Sequence, residues 1–125
     1  IGREISMTLC TSGDWRIDLG THVTHDVFNF CCEKWEKLKE ANVVEVNQCD
    51  LTDDRVKGWC QVDEDGEFLI HIHNDLCYDE YVKTLIHEFT HVKQTLIGLL
   101  DSDRREEEAY FWEEILTNEF YQQKL

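Results

Sequence analysis

The sequence predicts one α+β domain, in which a small antiparallel or mixed sheet of about four strands packs with one N-terminal helix and two C-terminal helices. Two observations predict it: strand periodicity occurs mainly before residue 75, and the longest stretches of helical periodicity follow that point. The chain has 125 residues, of which 42% are hydrophobic, and no proline. Residues 1–125 therefore suit a single domain with one core.

The first part of the chain is predicted to contain one strand and one helix. Residues 3–10 have a strand-like composition and are expected to open the sheet, and residues 12–22 are expected to form a loop. Apolar residues then recur at helical spacing over 24–41. This predicts a helix whose N-cap is Thr24.

Three further strands are predicted over 43–50, 54–63 and 67–74. Residues 64–66, Glu-Asp-Gly, are a hairpin turn signal between the last two strands. Side chains alternate between the two faces of a strand. In the last strand one face therefore carries Phe68, Ile70 and Ile72, and the other face carries Leu69, His71 and His73.

Two long helices are predicted over 79–98 and 103–124, the first of which ends at Gly98. Each has an apolar stripe that is expected to face the core. The stripe of the first helix consists of Tyr81, Val82, Leu85, Phe89, Val92 and Leu96. The stripe of the second helix consists of Ala109, Trp112, Leu116 and Phe120.

The pattern His-Glu-x-x-His occupies residues 87–91 of the first long helix. Residues four apart are separated by about 40° around a helix, so His87 and His91 can bind one zinc ion. They lie almost opposite the apolar stripe and therefore face solvent or a cleft. Glu88 is about 100° from His87, where it can reach a water molecule as general base. The segment predicts a Zn²⁺ site.

A catalytic zinc site needs three protein ligands and one open position. No histidine follows His91, so a carboxylate of the last helix is the expected third ligand. Glu106 and Glu113 flank the inward stripe of that helix, whereas Glu107 points away from it. Glu106 lies in the first turn, where the helix can close back on the histidine pair. It is the expected ligand, and Glu113 is the alternative.

The combined pattern resembles the gluzincin group of zincin metallopeptidases, which carry HExxH on one helix and a zinc-binding glutamate on a later one. HEFTH matches the first part, and EEEAY matches the second, with Glu106 as the ligand and Ala109 as the small residue that often follows it. Larger members often have a histidine-orienting aspartate at the position of Tyr110. The order of elements is similar to a minimal zincin domain, such as the minigluzincins and small phage-encoded zincin-like proteins. The resemblance depends on specific motifs over 67–122, whereas before residue 67 only the order of helices and strands is similar.

This resemblance implies a cleft beside the histidine helix. In zincins the strand before that helix lines the cleft and pairs with an extended substrate. His71 and His73 are therefore expected to line the cleft, with the peptide along 67–74. A solvated face or metal binding by this pair are the alternatives. Tyr110 and Tyr121 are the candidates for stabilising the oxyanion.

Composition limits the partners. The chain has 27 Asp and Glu residues but 12 Lys and Arg residues, which gives a formal net charge of −15. Such a charge disfavours nucleic acid and suits a basic peptide or protein substrate, although solubility alone also explains it. No apolar stretch approaches the roughly 20 residues of a membrane span. The six cysteines form no CxxC pair. They suit reduced, buried thiols in a cytoplasmic protein, including a viral one in its host, better than a secreted protein.

The predicted activity is that of a zinc metallopeptidase, expected to be an endopeptidase. Zinc held by His87, His91 and Glu106 lowers the pKa of a water molecule, and Glu88 takes its proton. The alternative is a non-catalytic interaction or regulatory protein on the same scaffold. Its zinc site would be closed by a fourth ligand such as His71 or Asp101. Zinc-dependent hydrolysis of a non-peptide amide is a third possibility.

Overall fold

The computed structural model describes residues 9–15 and 20–123, which form four strands, three α-helices and two short 3₁₀ helices. The predicted α+β class is confirmed. The strands are β1 (Leu9–Gly13), β2 (Val44–Cys49), β3 (Gly58–Val62) and β4 (Phe68–His73). The α-helices are α1 (Gly20–Lys34), α2 (Tyr78–Leu96) and α3 (Ser102–Gln123). The 3₁₀ helices are Glu36–Glu40 and Thr52–Asp54.

The sheet is mixed, with strand order β1-β2-β4-β3. β1 pairs with β2 and β2 with β4 in parallel, whereas β3 and β4 form an antiparallel hairpin. The predicted turn closes this hairpin: Asp63 Oδ1 accepts hydrogen bonds from the amides of Asp65 and Glu67, and Gly66 has a φ of 78°. β4 is therefore interior, and β3 is an edge strand.

The first strand and first helix differ in extent from the prediction. β1 continues through Gly13 into the predicted loop, and residues 3–8 of the predicted strand lie outside the described residues. α1 begins at Gly20, so the assignment of Thr24 as an N-cap is wrong. Thr24 is fully buried, and its hydroxyl is 2.6 Å from the hydroxyl of Tyr81. A tertiary hydrogen bond satisfies this polar side chain in place of a helix cap.

α1 is also shorter than predicted at its C-terminal end. Trp35 adopts an extended conformation, with φ −128° and ψ 95°, and a 3₁₀ helix takes the place of the predicted last turns. Leu38 on this 3₁₀ helix is fully buried. The chain thus changes helix type while it keeps an apolar side chain in the core.

The core lies between one face of the sheet and α1 and α2. The predicted inward residues of β4 are buried, as is the predicted stripe of α2 except for half-buried Leu96. Phe28 of α1 packs edge-on against Phe89 of α2, with ring centroids 5.2 Å apart. Among the cysteines, Cys31 and Cys32 are buried but Cys10 and Cys77 are exposed, so the expected burial holds for only some of them.

α3 covers the polar face of α2. Gly98, with a φ of 81°, ends α2, and Asp101 Oδ1 accepts the Arg104 amide at the start of α3. The connection is short, so α3 runs antiparallel along α2. The histidine face of α2 therefore borders a cleft rather than open solvent. None of the helices in the described ranges is long and apolar enough to cross a membrane.

Candidate metal centre

Two imidazoles project from the middle of α2 into this cleft. The ring centroids of His87 and His91 are 4.9 Å apart, and the rings are nearly perpendicular. The side chains of His87 and His91 are only 12% and 10% exposed. Burial is the main cause that lowers the pKa of His91. A neutral imidazole is the form that binds metal, so this environment favours the ligand state.

Glu106 of α3 faces both imidazoles. Its Oε1 is 3.3 Å from His87 Nε2, and its Oε2 is 3.0 Å from His91 Nε2. One ligand atom from each of the three side chains lies within 4.8 Å of the others. The structure thus brings together the three residues that the sequence predicted as ligands. Two nitrogens and one carboxylate are a donor set that suits catalytic zinc.

Glu113 occupies a different position from the one expected of an alternative ligand. Its Oε1 is 2.7 Å from His87 Nδ1, on the ring nitrogen that does not face Glu106. The imidazole N–H donates to this carboxylate, which leaves Nε2 free to bind metal. Glu113 is only 15% exposed, so the hydrogen bond is shielded from water. Its contact is that of a histidine-orienting carboxylate.

Gln94 performs the same task for His91. It is fully buried and accepts a hydrogen bond of 2.8 Å from His91 Nδ1. Its amide nitrogen donates to Glu108 Oε1 at 2.9 Å and to the Arg105 carbonyl at 3.0 Å, which fixes the orientation of the amide. Gln94 was not among the predicted site residues. Its spacing of three residues after His91 was the available signal.

Glu88 is buried beside the histidine pair. The residue is 4% exposed, and its Oε1 has no hydrogen-bond partner among the described residues. Burial, followed by repulsion from Glu106 and Glu113, raises the pKa of Glu88 from 4.5 to about 8. A bound cation would oppose this shift. An unsatisfied buried carboxyl that lines a cavity is the group expected of a proton acceptor.

The cleft is a cavity of about 570 Å³ between β3, α2 and α3. Gly58 at the start of β3 allows the strand to approach α2. A Cβ at this position would lie 2.7 Å from the carbonyl oxygen of His71 and 3.1 Å from Thr84 Cγ2. Only glycine fits that space without a shift of backbone or side chain. The edge strand therefore forms one wall of the cavity, alongside the predicted ligands and Glu88.

The prediction that His71 and His73 line the cleft is wrong. Neither residue borders the cavity, and both point to the opposite face of the sheet. The His71 ring packs against Trp59 with centroids 4.5 Å apart, and His73 Nδ1 accepts the Leu51 amide at 2.9 Å. A peptide cannot pair along residues 67–74 either, because both edges of β4 are already paired with β2 and β3.

The two tyrosines predicted as candidates for stabilising the oxyanion differ in their contacts. Tyr110 borders the cavity, is 61% exposed, and packs edge-on against His87 with centroids 4.8 Å apart. Tyr121 donates its hydroxyl to Asp79 Oδ1 at 2.6 Å, beyond the cavity. Tyr110 is therefore the candidate for contact with a bound substrate.

The proposed fourth ligands of a closed site lie elsewhere. Asp101 holds the N-terminus of α3, and His71 lies across the sheet. Among the described residues, the group that could hold a metal ion has three members. A metal ion held by these three side chains would therefore keep a position for water or substrate.

No protein-family model matches this chain, and neither a curated protein nor a solved structure shows significant similarity to it.

Proposed function

We propose that this protein is a zinc-dependent peptidase, in which His87, His91 and Glu106 hold the metal and Glu88 is the general base. The observation that supports this best is the convergence of the two Nε2 atoms on one carboxylate, at 3.3 and 3.0 Å. The Nδ1 atoms are bound separately by Glu113 and Gln94. In an accidental cluster of polar side chains, there would be no reason for both histidines to have Nδ1 bound by a partner and Nε2 directed at the same carboxylate.

The residues present fit zinc rather than a hard cation. Two imidazoles and one carboxylate match the ligands of catalytic zinc, whereas calcium and magnesium prefer oxygen alone. When bound, zinc would polarise a substrate carbonyl and lower the pKa of a water molecule toward about 7. The cavity beside the donor set provides room for that substrate.

Glu88 then carries the proton. Its buried carboxylate accepts a proton from the attacking water and delivers it to the leaving nitrogen of the cleaved bond. The unpartnered Oε1 is consistent with this role, because a purely structural carboxylate would be satisfied by a protein donor. Tyr110 would donate its hydroxyl to the developing oxyanion; its position at the cavity, in ring contact with His87, supports this role.

The substrate is an extended peptide segment along β3. This strand is at the edge of the sheet, so its outer amide and carbonyl groups are available for pairing. β3 also forms the cavity wall that faces α2. A segment added to β3 would thus lie beside the metal ligands. The net charge of −15 attracts substrates that are basic overall.

Metal analysis combined with digestion of a peptide library tests this function. Glu88→Gln preserves the shape of the side chain but removes the base, and Glu107→Gln removes a charge from an exposed position of α3. We expect one zinc per chain in the wild type and both variants, with cleavage lost only in Glu88→Gln. Zinc without cleavage in the wild type would support the non-catalytic alternative. Failure to bind any metal would exclude both.

A further inference from the structure

Several basic residues border the cavity, although the protein as a whole is acidic. Four of the chain's 12 Lys and Arg residues border the cavity: Arg55, Lys57, Lys83 and Arg105. Four glutamates also border it. The cavity is therefore close to neutral in side-chain charge, and a bound divalent cation would make it positive.

Three of the four basic residues are already engaged. Lys57 pairs with Glu80 at 2.7 Å, and Lys83 pairs with Glu114 at 3.2 Å. The Arg105 guanidinium donates to the Leu99 carbonyl at 2.8 Å and to Thr95 Oγ1 at 3.2 Å. Each of these three side chains thus already has an acidic or carbonyl partner within the protein.

Arg55 differs from the other three. Within residues 9–15 and 20–123, its exposed side chain makes no ion pair or hydrogen bond. It is also the one non-glycine residue of these ranges with a positive φ, 58°, at the end of the 3₁₀ helix Thr52–Asp54. The left-handed conformation disfavours a residue with a Cβ. The backbone conformation therefore does not favour arginine at this position, where the residue is exposed and borders the cavity.

The position of Arg55 relative to the metal centre follows from chain geometry. Gly58 is level with Thr84, which precedes His87 by about 4.5 Å along the helix axis. Arg55 lies three residues before Gly58, at most about 10 Å of extended chain. A peptide paired with β3 rises about 3.3 Å per residue. Arg55 therefore lies within about four substrate residues of the metal ligands.

We propose that Arg55 forms a subsite for a substrate carboxylate, up to about four residues from the cleaved bond. This rests on the proposed peptidase function and adds a preference to it. The carboxylate is an Asp or Glu side chain, or the C-terminus of the peptide. A guanidinium binds either through two parallel hydrogen bonds. A peptide antiparallel to β3 presents its C-terminal side to Arg55, and a parallel one presents its N-terminal side.

Labelled octapeptides that carry Glu or Gln at one position provide the test. We expect wild-type kcat/KM to favour Glu over Gln by roughly three- to tenfold at one position, because the ion pair is partly exposed. Arg55→Gln should bring this ratio to about one. The matched control is Arg104→Gln, which removes the same charge from an exposed residue away from the cavity and should keep the ratio. A ratio unaffected by Arg55→Gln, or no preference for Glu at any position, would overturn the proposal.

Two further comparisons show whether the carboxylate is a side chain or the C-terminus, and whether Arg55 acts through recognition or through folding. Peptides with a free C-terminus are compared with their C-terminal amides. If kcat/KM is higher for the free acids and Arg55→Gln removes this difference, Arg55 binds the C-terminus. Arg55→Gly should keep or raise the melting temperature, because glycine relieves the positive φ, yet lose the Glu preference as Arg55→Gln does. Retention of the preference in Arg55→Gly would exclude recognition by the side chain.

A binding measurement distinguishes this proposal from the peptidase proposal. The same peptides are titrated into zinc-loaded Glu88→Gln protein and followed by fluorescence anisotropy. Tighter binding of Glu peptides that is lost with Arg55→Gln supports the subsite even when no peptide is cleaved. Cleavage without a Glu preference rejects the subsite and leaves the peptidase proposal intact.

Discussion

The hydrogen bond between Glu113 and His87 should control zinc affinity. Glu113 Oε1 is 2.7 Å from His87 Nδ1, and both side chains are at most 15% exposed. Glu113→Gln retains the size of the side chain but removes the charge that holds the Nδ1–H tautomer and makes Nε2 more basic. Loss of such an outer hydrogen bond typically weakens metal binding by about 10- to 100-fold, or about 1.4 to 2.7 kcal/mol.

The assay is competition for zinc against a chelating dye at fixed pH, with circular dichroism of the metal-free protein as a check on folding. The matched control is Glu114→Gln on the same helix. Glu114 is 64% exposed and pairs with Lys83 outside the donor set, so zinc affinity should change little. Glu106→Gln, which alters a proposed ligand, should weaken zinc binding more than Glu113→Gln does. Unchanged affinity in Glu113→Gln would refute the orienting role. A loss larger than that of Glu106→Gln would make Glu113 the ligand.

Three further predictions follow from other contacts. Metal-free protein should lose stability as pH rises from about 4.5 to about 8. Over this range Glu88 is ionised in the unfolded chain, whereas burial keeps it protonated in the folded protein. The loss is at most about 5 kcal/mol. Thermal melts across this range should show a flatter pH profile for Glu88→Gln. Tyr110→Phe should lower kcat by about 10- to 100-fold without loss of zinc, and unchanged kcat would exclude the hydroxyl from the reaction. Gly58→Ala should destabilise the protein by about 1 to 3 kcal/mol in urea unfolding, because its Cβ would lie 2.7 Å from the carbonyl oxygen of His71.

The histidine pair and Glu106 were predictable because local rules determine them. Helical periodicity places His87 and His91 on one face of α2, and a short connection returns α3 along that face. Glu106 in the first turn of α3 then comes close to both rings. Each step depends on spacing within a helix or on the length of one loop.

The edge strand was not predictable in the same way. Alternation in residues 68–73 correctly separates the buried face of β4 from its other face. It does not determine which strands lie beside β4. The parallel pairing of β2 with β4 leaves β3 at the edge, and this depends on contacts between distant parts of the chain. His71 and His73 were therefore assigned to the cleft in place of β3.

The contacts of Glu113 and Thr24 could not be predicted from the sequence either. Whether Glu113 reaches Nε2 or Nδ1 of His87 depends on the separation of two helices and on side-chain rotamers, which helical spacing leaves open. Thr24 is a plausible N-cap by sequence, but its hydroxyl meets Tyr81, 57 residues away in the chain. Polar side chains can be satisfied locally or through tertiary contacts, and sequence alone favours the local choice.

X-ray absorption at the zinc edge of the metal-loaded protein identifies the atoms that bind the metal. We expect one zinc per chain with nitrogen and oxygen neighbours at about 2.0 to 2.2 Å, and loss of that pattern when His87 and His91 are replaced by alanine. Cys60 also borders the cavity, so sulfur is the informative alternative. A zinc–sulfur distance of about 2.3 Å, or no bound zinc, would show that His87, His91 and Glu106 do not form the proposed zinc site.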